Sequence, residues 1–260
     1  MVYEDQLNRR LKLPGIPKRI ISLVPSQTEL LVDLGLSDHI VGITKFCVHP
    51  DSIRREKKNV GGTKNVHYDR IRELSPEIIL CNKEENTKEI VETLEKEYPV
   101  HVSDIFTIED SLEMIQQYGK ILGCIKESEI IASRIKSELN SFLDFIKDKP
   151  QKRVAYFIWR KPWMTVGTNT FIDHLLKING FINVFGAQER YPEISEDELS
   201  TIKDIDLILL SSEPFPFAEK HIEEINDINP DVKTILVDGE YFSWYGSRLT
   251  AAFNYFKTLH

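Results

Sequence analysis

The chain has 260 residues, of which 41% are hydrophobic and 28% charged, and it carries a net charge of −8 at neutral pH. That length buries a substantial core as one large domain or two small ones. The negative balance argues against a sequence-independent grip on nucleic acid, which needs a basic face, and no apolar run reaches the length of a membrane span.

In chain order, the first fifteen residues, MVYEDQLNRRLKLPG, are polar and charged. They lack the apolar centre and small-residue cleavage site of a secretory leader, so the chain as written is expected to stay in the cytoplasm. Residues 19–24 (RIISLV) read as a short strand. Pro25 and SQTELLVDLG then read as a helix, with Ser26 and Glu29 at capping-box spacing and Gly35 at a left-handed stop. Residues 40–43 give another strand, and Gly61-Gly62 a turn. Residues 68–74 form a short helix ended by Pro76, 77–81 a buried strand, 87–97 a helix, 100–102 a strand and 108–122 a helix stopped by Gly123. Strands alternating with helices of about ten residues imply βαβ units around a parallel sheet.

Residues 125–149 follow as one long helix. Ile131, Ile135, Leu139, Phe142 and Ile146 recur at spacings of three and four, and Ile130, Leu143 and Phe145 are expected to widen that stripe. No Pro or Gly interrupts it, and Pro150 closes it. About 20 helical residues span roughly 30 Å. The strand–helix pattern then restarts: strands at 153–158, 206–210 and 232–237, and helices at 170–178, 195–200, 217–225 and 247–259. Ser195 and Glu198 are spaced as a further capping box. The order implies an α/β fold, two Rossmann-like lobes with parallel sheets joined by one long backbone helix. The expected boundaries are 1–122, 123–150 and 151–260. The helix is expected to act as a beam that limits hinge motion. Ligands of open parallel sheets sit beyond the carboxyl ends of the strands, which places the expected site in a cleft between the lobes.

The loops after the strands therefore carry the candidate residues. The first lobe offers Pro25, Ser26, Gln27 and Thr28 at a helix N-terminus, where free amides suit an acceptor. It also offers Phe46, Thr63, Lys64 and Asn82. The second offers Trp159, Arg160, Trp163, Met164 and Tyr191, then Glu240, Tyr241, Phe242 and Trp244, followed by Arg248. All three tryptophans fall in predicted loops, where core packing explains them poorly and a concave ligand wall explains them better. Arg160, Lys64 and Arg248 add positive charge. GxSxG, HExxH and the P-loop pattern are absent, so no catalytic residue is assigned. Cys47 and His49 are too few ligands for a metal site, and no metal or cofactor is assigned. Cys47, Cys81 and Cys124 contain no CxxC pair and are expected to be reduced and structural.

The segments RIISLVPSQTELLVDLGL, IVGIT, GGT and IRELSPEIIL, with RVAYFIWRKPWMTVGTNTFIDHLLKINGFINVF and GEYFSWYGSRL later, resemble the helical-backbone (class III) substrate-binding proteins of ABC importers. These carry cobalamin, ferric siderophores or haem, and the resemblance spans residues 18 to 258. It implies a non-catalytic, monomeric receptor that holds a bulky metal chelate and docks on an importer permease. Asp69 and Asp197 stand where family members place one docking acid on each lobe. It also implies a periplasmic or cell-surface location, against the polar N-terminus. The sequence departs from cobalamin-binding relatives at Thr63-Lys64 and Asn82, where those have aromatic residues. It departs again in the last loop, where Glu240 keeps the acid of an acid–base pair and Trp244 replaces the base. The alternative is a cytoplasmic tetrapyrrole or metal-chelate enzyme or carrier of chelatase-like bilobal architecture. A third reading is a sensor or scaffold.

Overall fold

The polar N-terminus is structured. In the computed structural model, which describes residues 1–260, Val2–Glu4 (β1) and Arg10–Lys12 (β2) form an antiparallel hairpin. The chain divides into two compact units, residues 1–137 with 244–250, and residues 138–243 with 251–260.

The first unit carries β3 (Ile20–Ser22), α1 (Pro25–Asp33), β4 (Ile40–Ile43), α2 (Ile53–Glu56), β5 (Lys58–Asn59), α3 (Tyr68–Leu74), β6 (Ile78–Asn82), α4 (Lys88–Leu94), β7 (Val100–Ser103) and α5 (Ile108–Leu122). Its sheet is parallel throughout, in the order β5-β4-β3-β6-β7. Every residue of β3, β6 and β7 is buried, as the near-continuous apolar runs of a parallel sheet require. Ile21, Leu23, Ile71, Ile79, Ile90 and Val102 share one core cluster.

The segment after β1 finishes the β7 edge. The Asp5 carboxylate is buried and accepts from the amides of Leu7, Arg9 and Val102 and from Arg9 Nε. Arg9 Nη2 donates to the Val100 carbonyl at 2.7 Å. Side chains thus satisfy edge groups that would otherwise be open to another chain.

Helix ends follow local chemistry, with one correction. Gly35 and Gly123 adopt φ of 77° and 74° at helix stops, the left-handed region that glycine enters without a Cβ clash. Thr107 and Asp110 form a capping box on α5. Ser26 and Glu29 do not form one. Val24 is the N-cap, Pro25 opens α1, and Ser26 lies inside the helix. Proline fits the first helical position because its missing N–H has no intrahelical partner there.

The long helix, α6, runs Ile125–Ile146, stopping one turn short of the expected Lys149. Ser128, Ala132, Ile135 and Phe142 are buried, with Leu139 and Ile146 half-buried. The expected widening fails: Ile130, Leu143 and Phe145 are exposed. They sit beside the stripe, and the buried face is the narrower line repeating at four and three residues.

The second unit carries β8 (Arg153–Trp159), β9 (Trp163–Thr165), α7 (Phe171–Ile178), β10 (Ile182–Asn183), β11 (Glu193–Ile194), α8 (Glu196–Thr201), β12 (Leu207–Ser211), α9 (Glu219–Ile228), β13 (Lys233–Val237) and α10 (Glu240–Ser243). The last helix, α11 (Leu249–Phe256), begins in the segment assigned to the first unit. The sheet order is β11-β9-β8-β12-β13, with β10 also pairing β8. Strands β8, β12 and β13 are parallel, as expected, and the unforeseen two-residue β10 pairs parallel with β8. Strands β9 and β11 add an antiparallel edge that the alternation pattern did not foresee. No helix is long and apolar enough to cross a membrane.

Candidate functional site

In the first unit the chain leaves β3 for β4 and β5 on one side, then crosses to β6 and β7 on the other. The carboxyl ends of β3 and β6 are therefore its topological switch point, where ligands of open α/β sheets bind. Several predicted residues meet there, joined by a buried polar network. Gln27 Nε2 donates to Ser103 Oγ at 2.7 Å and to Tyr245 Oη at 3.3 Å, and Gln27 Oε1 accepts from Tyr118 Oη at 2.8 Å. Thr28 Oγ1 bonds Ser22 Oγ and the Val24 carbonyl and lies 3.1 Å from Cys47 Sγ. Asn82 donates to Ser103 Oγ and accepts from the amides of Glu84 and Glu85. Asn86 donates to the carbonyls of Leu23 and Thr63, tying three loops together. Ser26, Gln27, Thr28 and Asn82 are all buried.

Burial shifts the titratable members of this network. It raises the Tyr245 hydroxyl, with the nearby Glu85 carboxylate adding to the shift. It raises the half-buried Glu85 as well, against the pull of Lys64. It pushes the Cys81 thiol up to about 12, so that side chain stays protonated at neutral pH. All three cysteines are buried and free.

Phe46, Thr63, Lys64 and Pro25 lie more openly. Phe46 is 49% exposed, with Lys45 Nζ 4.9 Å from its ring centroid, and Lys64 Nζ donates to the Glu84 carbonyl. Trp244 is buried; His49 meets its ring edge-on at 5.3 Å and the Arg248 guanidinium lies 4.8 Å from it. Arg248 grips Glu29 through two bonds, Nε to Oε2 at 2.9 Å and Nη2 to Oε1 at 2.7 Å. Burial still leaves the Glu29 carboxyl raised, although the guanidinium pulls it down.

In the second unit the switch point lies between β8 and β12, since β9 and β10 follow on one side and β13 on the other. Trp159 ends β8 and is 40% exposed. Arg160 is engaged within the unit: Nε donates to Glu224 at 2.7 Å, Nη2 lies 3.7 Å from Glu196, and the guanidinium covers the Trp163 ring at 4.3 Å. That bond holds the Glu224 carboxyl below its usual range. Trp163 is not in a loop. It sits in β9, 2% exposed, stacked on Phe217. The same strand holds Met164, which is half-buried. Glu240, Tyr241 and Phe242 form the turn of helix α10. Phe242 is fully buried against Tyr156 and Phe256, whereas the half-buried Tyr241 stacks on Tyr255. The half-buried Tyr191 faces Arg190.

The two candidate docking acids are exposed in the first turns of α3 and α8. Asp69 pairs with Arg72 at 3.0 Å. Asp197 belongs to a helix whose capping box, Ser195 with Glu198, forms as its spacing predicts.

The sequence reading passed over Phe215, which touches Trp159 edge-on at 5.6 Å. Its signal was available: Glu213-Pro214-Phe215-Pro216 directly follows a buried strand, and two prolines around an aromatic mark a loop residue, not a core one.

The family described as Periplasmic binding protein matches residues 20–233. An uncharacterized ABC transporter substrate-binding lipoprotein of Bacillus subtilis (strain 168) is 22% identical over 252 residues, covering 90% of this chain and 80% of that protein. A vitamin B12-binding protein of Vibrio campbellii is 25% identical over 196 residues, covering 72% of this chain and 68% of that one. Among solved structures, a periplasmic heme binding protein from Pseudomonas aeruginosa superposes with a TM-score of 0.81 at 20% identity, covering 94% of this chain and 92% of the other.

Proposed function

Since the chain belongs to the periplasmic binding protein family, we propose that it is the substrate-binding protein of an ABC-type importer and holds a bulky metal chelate, a corrinoid, ferric siderophore or haem. The observation that carries this reading is the family match along residues 20–233, in a chain whose relatives are named for substrate and vitamin B12 binding. The chemistry of the loops supports it. Beyond the carboxyl ends of both sheets stand the exposed rings of Phe46 and Trp159, and half-buried Met164, Tyr191 and Tyr241. Such groups give a large ligand contact area at low entropic cost. Pro25, Thr63, Lys64 and Glu240 supply polar and backbone contacts.

In this reading Ser26, Gln27, Thr28, Asn82, Trp163, Phe242, Trp244, Arg160 and Arg248 support the loops, because their polar or aromatic groups are engaged within their own unit. The protein binds and releases its ligand without chemistry, as its family and relatives support, and the chelatase-like alternative is not favoured. Its partner is an importer permease, met through Asp69 and Asp197, whose charges orient docking. It acts outside the inner membrane, as the family description and the lipoprotein relative support.

The test is a melting screen against cyanocobalamin, cobinamide, haemin and several ferric siderophores. A ligand at about a hundred times its dissociation constant adds about 2.7 kcal/mol, a rise of about 5 °C or more for a chain of this size. No shift with any of them refutes the reading.

A further inference from the structure

The exposed Trp159 is the outer end of a buttressed aromatic column. Phe215 meets its ring edge-on at 5.6 Å. Behind Phe215 stand Phe217, edge-on at 4.8 Å, and His221, edge-on at 5.2 Å. Phe217 stacks at an interplanar angle of 3° on Trp163, which lies beneath the Arg160 guanidinium. The base of the column is fixed twice. Arg160 is bonded to Glu224, and His221 Nδ1 accepts from the Ala218 amide. The Phe215 amide also donates to the Ile158 carbonyl, which joins the loop after β12 to the end of β8.

The column is therefore packed ring on ring from the core outward, and its outermost ring stands 40% exposed at the switch point of the second unit. A ring held in one orientation with a face in water binds a flat π surface with little further loss of freedom.

We infer that Phe215 is a positioning residue that orients Trp159 against the conjugated macrocycle of a tetrapyrrole-type chelate. The inference rests on the binding reading and narrows its ligand class. The contact on the ligand is made by Trp159, while Phe215 acts through it by blocking the alternative ring orientations.

The test measures the affinities of haemin and cyanocobalamin by titration calorimetry for wild type, Trp159→Ala, Trp159→Phe, Phe215→Leu and Phe215→Tyr. For the tetrapyrrole that binds wild type, Trp159→Ala weakens affinity about tenfold, the scale of one aromatic contact. Trp159→Phe recovers most of that loss. Phe215→Leu weakens it about fivefold and Phe215→Tyr restores it, a ring-dependent rescue that mere loss of packing would not give. If a truncated variant does not fold, the ring-retaining ones still decide: Trp159→Phe keeps most of the wild-type affinity and Phe215→Tyr keeps all of it, and a loss of about tenfold in Phe215→Tyr overturns the column. Binding of wild type and all variants with equal affinity overturns the column while leaving the binding reading intact. Wild type that binds neither probe, but binds a ferric siderophore, also overturns the column alone. Binding of no chelate at all overturns both.

Discussion

Removing Arg248 tests whether its pairing with Glu29 braces the first unit. The guanidinium is 10% exposed and the carboxylate 18%, and two charge-assisted bonds of 2.9 and 2.7 Å join them. Arg248→Met keeps much of the side-chain volume but leaves the half-buried carboxylate without its guanidinium, with only the weaker pull of His49 remaining. Deleting one member of a buried pair costs about 3–5 kcal/mol. The partial exposure of Glu29, and its freedom to take up a proton, bring the expectation to about 2–3 kcal/mol at pH 7.5. Loss of the guanidinium over Trp244 contributes about 0.5–1 kcal/mol of that. The pH dependence has a definite sign. Burial raises the folded-state pKa of Glu29 above its unfolded value. The folded state therefore binds this proton more tightly, and stability falls as pH rises from the unfolded to the folded value. Without Arg248 the folded value climbs further, so the deficit of the variant against wild type is largest near neutrality and shrinks toward pH 5. Urea unfolding followed by tryptophan fluorescence at pH 7.5 and 5.0 measures it. The double variant Glu29→Leu with Arg248→Met recovers most of the loss, since a matched apolar pair replaces the ion pair. A deficit below about 1 kcal/mol at both pH values, or one that grows on acidification, refutes the reasoning.

Three other perturbations follow from the structure. A Cβ on Gly119 would lie 2.0 Å from Ser128 Oγ and 2.8 Å from Ser128 Cβ, where α5 meets α6. Gly119→Ala is therefore expected to destabilise by about 1–3 kcal/mol in thermal melts, despite alanine's better helix propensity. Reversing both proposed docking acids, Asp69→Lys with Asp197→Lys, is expected to leave chelate affinity unchanged and abolish capture by the permease in surface-plasmon measurements; lost chelate affinity would show the assignment to be wrong. Ser195→Ala removes the hydroxyl that accepts from the Glu198 amide at 3.1 Å. It should cost about 1 kcal/mol and speed hydrogen exchange of that amide, with no effect on ligand binding.

Where one local interaction decides the structure, the sequence was a good guide. Gly35 and Gly123 stop their helices because only glycine enters the left-handed region freely, and the Ser195–Glu198 box forms because both of its members lie within one turn. Apolar runs placed β3, β6, β8, β12 and β13 to within a residue or two. The failures arose where two local rules competed or a contact was distant. Ser26 satisfied the capping rule, but Pro25 took the first helical position, and Glu29 was drawn to an arginine more than two hundred residues away. The N-terminal hairpin was hidden because its strands are three residues long and its anchor, Asp5, bonds the amide of Val102. Trp163 was misplaced because periodicity cannot reveal a three-residue strand after a tight loop.

The same distinction sorts the candidate site. Polar residues near strand ends look like ligand contacts in a sequence, but strand ends at a switch point also expose backbone groups of several loops. Those groups need partners once they are buried. Asn82 and Asn86 are such partners, Asn82 bonding the Ser103 carbonyl and the amides of Glu84 and Glu85, and Asn86 the Asn82 amide and the carbonyls of Leu23 and Thr63, while Gln27 joins the hydroxyls of Ser103, Tyr118 and Tyr245. On the proposed reading, ligand-facing residues show the opposite economy: side chains with apolar surface left in water and packed support behind them. Trp159 meets that description, and a sequence cannot show it, because the support comes from Phe215, more than fifty positions away. Substituting Asn82 or Gln27 should therefore disturb stability and affinity together, whereas Trp159→Ala should change affinity at nearly constant melting temperature.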